Sequence, residues 1–135
     1  MEFIDDHFCF ACGPENKQGL CVSWAVQDQT TFTEFIPDKK FQGWQGIVHG
    51  GILATLLDEA MTRLAWIVCG TALTAELNVR FLRPAKIGEK IFVLGEIIEQ
   101  NKKIVYMRAS LHRNDSQGEI IAKSTGKAIK IKTQI

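Results

Sequence analysis

The sequence predicts an α+β domain in which an antiparallel sheet wraps around a single long helix. Three observations lead there. Residues 48–70 hold the longest helix-compatible run in the chain. Segments rich in β-branched and aromatic residues flank it, two before and four after. Nothing alternates as strand, helix, strand, so a doubly wound parallel sheet is disfavoured. A helix covers one face of such a sheet and leaves the other bare, so assembly with further copies is expected.

In chain order, residues 1–19 form an irregular N-terminal segment with turn signals at Gly13-Pro14 and Gly19, plus one short helical turn over 15–18. Residues 20–26 and 31–36 read as two strands around a tight turn at 27–30, and Pro37-Asp38 closes the second. The loop 39–47 carries Phe41 and Trp44, large apolar side chains that suit a lid or a packed seam. The helix follows. Leu53, Leu56, Leu57, Ala60, Met61, Leu64 and Val68 recur at the spacing of one buried face, and Gly70 stands where a stop is expected. Segment 72–82 reads as a strand that ends before Pro84, because the residue before a proline avoids the continuing geometry. Segments 90–99, 103–113 and 119–131 complete the sheet. No linker or internal repeat divides the chain, so residues 1–135 are expected to form one domain.

Composition narrows the function classes. A hydrophobic fraction of 46% and a charged fraction of 23% are those of a globular protein, and Thr55, Asp58, Glu59, Thr62 and Arg63 interrupt the helix too often for a membrane span. The start, Met1-Glu2-Phe3-Ile4-Asp5-Asp6, lacks the basic and apolar regions of a signal peptide, so a cytoplasmic location is expected. Net charge is +1, but residues 1–77 hold ten acids against four Lys/Arg, while 78–135 hold twelve Lys/Arg against five acids. The plainer reading is two halves of one domain that neutralise each other, and the sharper one is a basic rim for a polyanionic small molecule; nucleic acid is disfavoured, because no basic run is interleaved with aromatics.

Cys9 and Cys12 form a C-x-x-C with Cys21 beyond and His7 just before. The four offer zinc-ligand chemistry, yet the outer pair lacks compact C-x-x-C or H-x3-H spacing. Reduced thiols and no metal are therefore expected, with Cys69 a small core residue at the helix end.

One residue in the helix is out of place. Asp58 falls just beyond the edge of the apolar stripe, where a carboxylate costs free energy unless something pairs with it or uses it. It stands nine residues after His49, and His49-Gly50-Gly51 opens the helix. This H-G-G-x6-D start, followed by Leu73-Thr74-Ala75-Glu76-Leu77-Asn78-Val79-Arg80-Phe81-Leu82-Arg83-Pro84, resembles the hot-dog-fold acyl-CoA thioesterases. It is most similar to the phenylacetate-pathway (PaaI-type) and 4-hydroxybenzoyl-CoA thioesterase group. Cys9-Phe10-Ala11-Cys12-Gly13 is similar to an N-terminal signature in a subset of them.

The resemblance implies a hot-dog fold and hydrolysis of an acyl-CoA thioester to a free acid and coenzyme A. No separate cofactor and no metal are implied, and the enzyme would be a homodimer or a dimer of dimers. It implies catalytic roles for Asp58, His49, Gly50 and Thr74. The first turn of a helix offers unsatisfied N–H groups at its positive end, which suit a developing oxyanion, and Gly50 and Gly51 let the thioester approach. Asp58 would activate a water or attack the carbonyl itself, with Thr74, supplied by the neighbouring subunit, holding that water. Arg83 and Lys86, in the turn after the Thr74 strand, are expected to meet the coenzyme A phosphates. The sequence departs from the family at Gly43, where many members carry an asparagine; Gln42 or Gln45 is the available substitute. A non-catalytic acyl-CoA sensor or carrier on the same fold is the alternative reading. Glu59 is the competing carboxylate, about 100° round the helix from Asp58.

Overall fold

The computed structural model describes residues 2–132. The terminal residues of the expected 1–135 domain, Met1 and 133–135, lie outside the described residues. In chain order the elements are β1 (Ala25–Gln27), β2 (Thr30–Phe35), a 3-10 turn (Lys39–Phe41), α1 (Gly50–Cys69), β3 (Ala72–Phe81), β4 (Ile91–Gln100), β5 (Ile104–Arg113) and β6 (Ile120–Lys130). The six strands form one antiparallel sheet in the order β1-β2-β4-β5-β6-β3, and α1 lies across β4, β5, β6 and β3.

Sequence periodicity accounts for most of this. α1 buries Leu53, Leu56, Leu57, Ala60, Met61, Leu64 and Ala65. Val68, which the spacing places on that face, lies near the helix end and is partly exposed, and Ala65 completes the stripe instead. Gly70 closes the helix at φ 87°, a left-handed conformation that a side chain resists. β4 and β5 alternate inward and outward residues, with Ile91, Val93, Val105, Met107 and Leu111 in the core. The helix sits close to the sheet: a Cβ on Gly95 would lie 2.7 Å from the Ala60 carbonyl oxygen. Glycine at that place lets backbone meet backbone.

The expected first strand is the main departure. Of residues 20–26 only Ala25 and Val26 pair in the sheet, in a strand that runs on to Gln27. Leu20 and Val22 instead donate backbone hydrogen bonds to the carbonyls of Phe10 and Ala11, and Cys21 between them has φ 52°. Their apolar side chains are buried in the main core, so hydrophobicity alone could not tell this packed loop from a strand. The turn expected over 15–18 is a hydrogen-bonded turn rather than a helical one.

β3 is an edge strand, paired only with β6 among the described residues. Leu73, Phe81 and the following Leu82 are substantially exposed along it. An unpaired edge with apolar side chains is a template for a further strand.

Candidate active site

The expected site residues on α1 fall into two groups, one at the helix start facing Phe81 of β3 and one at Asp58 facing Thr74 of β3. The first is the helix start. His49, held at φ −60°, ψ 133°, caps α1 by accepting a hydrogen bond from the Gly51 N–H on Nδ1 at 2.9 Å. Its own N–H donates to the Phe41 carbonyl, which ties the turn to a residue whose side chain is buried in the core. The Gly50 N–H donates to no protein group among the described residues. His49 therefore organises the first turn, occupies one donor and leaves its neighbour available at the positive end of the helix. A cleft of about 410 Å³ opens here, lined by Gly43, Trp44, Ile47, Val48, His49 and Gly50. Trp44 projects into solvent with 86% of its surface exposed.

Gly43 packs against His49: a Cβ at position 43 would stand 3.3 Å from the His49 Cα. Gln42, one of the two available substitutes for the missing asparagine, accepts from the Gly46 N–H at 2.8 Å and is committed to shaping the loop. Gln45 is exposed, with no side-chain hydrogen bond among the described residues.

The second group surrounds Asp58. Thr74 Oγ1 donates to Asp58 Oδ1 at 2.7 Å. Thr62 Oγ1 lies 3.2 Å from the same oxygen and 2.8 Å from Thr74 Oγ1. Oδ2 accepts from no protein group among the described residues. The resemblance assigns Thr74 to a neighbouring subunit, but within one chain it already reaches Asp58, because β3 turns back beside α1 directly after Gly70. Thr62 is the member of this group that the sequence reading does not single out. Its position four residues after Asp58, one turn along the same helix face, is the available signal.

The adjacent Glu59 faces a different part of the molecule. It meets Cys9 and Cys12 of the N-terminal segment. Burial pushes its carboxyl above the ordinary range, against the opposing effects of the Cys12 hydrogen bond and Arg63. Burial, followed by the hydrogen bond to Glu59, pushes the Cys12 thiol upward as well. Next to this cluster the N-terminal segment and α1 enclose a hollow of about 570 Å³, and Phe3 stands edge-on to Trp66 at 6.4 Å. A hollow of the same size lined by Arg80, Arg108 and Lys123 contains none of the expected site residues.

The two expected phosphate ligands differ. Arg83 is engaged within the chain, donating to the Ile120 carbonyl at 2.7 Å and pairing with Glu119 at 3.1 Å. Lys86 is exposed, and its backbone bridges to Ile47, a residue of the cleft at the helix start. Phe41 and Met61 belong to the core rather than to either site.

Residues 45–120 match the family model of the thioesterase superfamily, so the match begins in the loop before α1 and runs to the start of β6. Among curated proteins, acyl-coenzyme A thioesterase 13 of Mus musculus is 32% identical over 81 residues, covering 57% of this chain and 56% of that protein. The chain spans about half the length of the curated relatives it matches. Among solved structures, a thioesterase superfamily protein aligns with a TM-score of 0.84 and 21% identity over 96% of this chain and 68% of that one. The E. coli PaaI protein from the phenylacetic acid degradation operon aligns with a TM-score of 0.74 and 19% identity over 82% of this chain and 84% of that one. The wrapped-helix architecture is thus the hot-dog fold that the sequence resemblance implied.

Proposed function

The chain belongs to the thioesterase superfamily, and from that membership we propose that it hydrolyses acyl-CoA thioesters at a site built from the helix start and Asp58. The observation that carries this reading is the treatment of the Asp58 carboxylate. Hydroxyls occupy Oδ1 and orient the group, while Oδ2 is left open to act. Asp58 is only partly buried, so Oδ2 is open to water and to a bound thioester.

Thioester hydrolysis needs a nucleophile on the carbonyl carbon and donors for the oxygen that becomes negative. Asp58 Oδ2 serves the first need, either by taking a proton from water as it attacks or by attacking directly and being released by water. Thr62 and Thr74 hold the carboxylate and supply a hydroxyl within reach of that water. The Gly50 N–H serves the second need, and the departing group is the coenzyme A thiolate. Lys86 is the exposed cation beside the cleft for a coenzyme A phosphate.

These two parts do not meet within one chain. Gly50 and Asp58 are eight residues apart on α1, a rise of about 12 Å, and each sits against a different end of β3. Gly50 faces the Phe81 ring, which would stand 3.6 Å from a Cβ at position 50, while Asp58 bonds Thr74. Pairing the exposed β3 edges of two copies antiparallel, about a two-fold axis near Leu77-Asn78, sets position 74 of one copy opposite position 81 of the other. Asp58 of one copy then lies near Gly50 of the second, giving two equivalent composite sites per dimer. The exposed Leu73 and Phe81 would be covered in the same step.

The test is release of free thiol by the purified chain across acyl-CoA substrates of varied chain length and aromatic content. Hydrolysis of at least one member is expected. Thermal stabilisation by acyl-CoA with no thiol released from any member would replace this reading with that of a sensor or carrier.

A further inference from the structure

We propose that Cys9, Cys12 and Glu59 form a binding site for a thiophilic divalent cation, zinc above all, which fastens the N-terminal segment to α1. The two thiol sulfurs and a Glu59 carboxylate oxygen all lie within 4.8 Å of one another. Ligand atoms around a tetrahedral zinc are separated by about 3.5–3.8 Å, as follows from Zn–S of about 2.3 Å and Zn–O of about 2.1 Å. Side-chain adjustments of about 1 Å would therefore close the group on an ion.

The backbone of the segment closes a tight turn around Cys9. Cys9 Sγ accepts from the backbone N–H groups of Ala11 at 3.3 Å and Cys12 at 3.5 Å. Both N–H groups are directed at the one sulfur and hold it in place on the turn. Gly13 donates its N–H back to the Cys9 carbonyl at 2.9 Å, and a Cβ there would lie 2.2 Å from the Cys9 nitrogen. The turn thus requires the glycine of Cys9-Phe10-Ala11-Cys12-Gly13.

This ligand set differs from the one the spacing suggested. Cys21 Sγ donates to the Asn16 carbonyl at 3.2 Å, Cys69 Sγ donates to Gln100 Oε1 at 3.2 Å, and His7 is an exposed neighbour of Asp5. The third ligand comes instead from α1, forty-seven residues after Cys12, where no sequence spacing rule would look. Three protein ligands leave one tetrahedral position for water. The ion would hold the segment over the hollow beside Trp66, one residue away from Asp58. None of this depends on the thioesterase reading.

The test uses the full chain purified with reductant and without chelator. One equivalent of bound zinc per chain is expected by elemental analysis. Stripped protein titrated with Co²⁺ should show thiolate-to-cobalt charge-transfer absorption, and Zn²⁺ should raise its melting temperature. Cys9→Ser and Glu59→Gln should each weaken binding by more than the roughly 10- to 100-fold typical of a group that merely supports a ligand. Cys21→Ser should leave binding unchanged. Stripped, reduced wild-type chain that gives no cobalt absorption overturns the proposal, whatever the variants do. So does Glu59→Gln that binds as tightly as the wild type, or Cys21→Ser that abolishes binding.

Discussion

Asp58→Asn is expected to lower kcat for acyl-CoA hydrolysis by about 10²- to 10⁴-fold, the range associated with losing a positioned base. Asparagine keeps the volume of the side chain, and its Oδ1 can still accept from Thr74 and Thr62, which stand 2.7 and 3.2 Å from that position. The melting temperature and the affinity for substrate should therefore change little, so the loss should fall on kcat rather than KM. The amide has no basic or nucleophilic oxygen, and both routes available to Asp58 fail together. Thiol-release kinetics with the variant's melting curve beside them check this. Wild-type kcat in a folded variant would move the chemistry elsewhere, first to Glu59.

Gly50→Pro is expected to have the second-largest effect, about 10²- to 10³-fold in kcat, the cost of removing one oxyanion donor. Most substitutions at a glycine leave the backbone N–H in place and test only space. Proline removes the N–H itself, and at the first position of a helix it is a favoured residue. His49 at φ −60°, ψ 133° already has the conformation required before a proline. A Cβ at position 50 would meet the Phe81 ring at 3.6 Å, an ordinary contact. The His49 cap on Gly51 is untouched. A variant with unchanged melting temperature and unchanged kcat would show that the Gly50 N–H does not face the reacting carbonyl.

Much of this is legible in the sequence because the features are local. The helix, its glycine stop and the four later strands follow from spacing and punctuation, and they appear within one or two residues of their expected limits. Asp58 is conspicuous because it breaks a local rule, a carboxylate at the margin of an apolar face. Thr74 gives no signal as a single strand residue and becomes interpretable only through the resemblance. What stays hidden depends on tertiary contact. Residues 20–24 are held by a loop that offers backbone partners in place of a neighbouring strand. The meeting of Glu59 with Cys9 and Cys12 depends on where the irregular segment crosses α1. Arg83 reads as a free cation in sequence, and only the fold brings Glu119 and the Ile120 carbonyl beside it. The Asp58-Glu59 pair is the clearest example. Two adjacent acids look alike in sequence, yet about 100° of helical rotation sends one to the Thr74 strand and the other to the cysteine turn.

If each site takes Asp58 from one copy and Gly50 from another, mixing the two inactive variants shows it most directly. Asp58→Asn and Gly50→Pro chains are co-expressed in equal amounts, and thiol release is compared with that of each variant alone. In a hybrid dimer one site carries both defects and the other carries neither. Random pairing makes about half the dimers hybrid, so about a quarter of wild-type activity should return. Activity no greater than the average of the two variants, in a mixture shown to contain hybrids, would mean that one chain supplies both groups and would contradict the composite site.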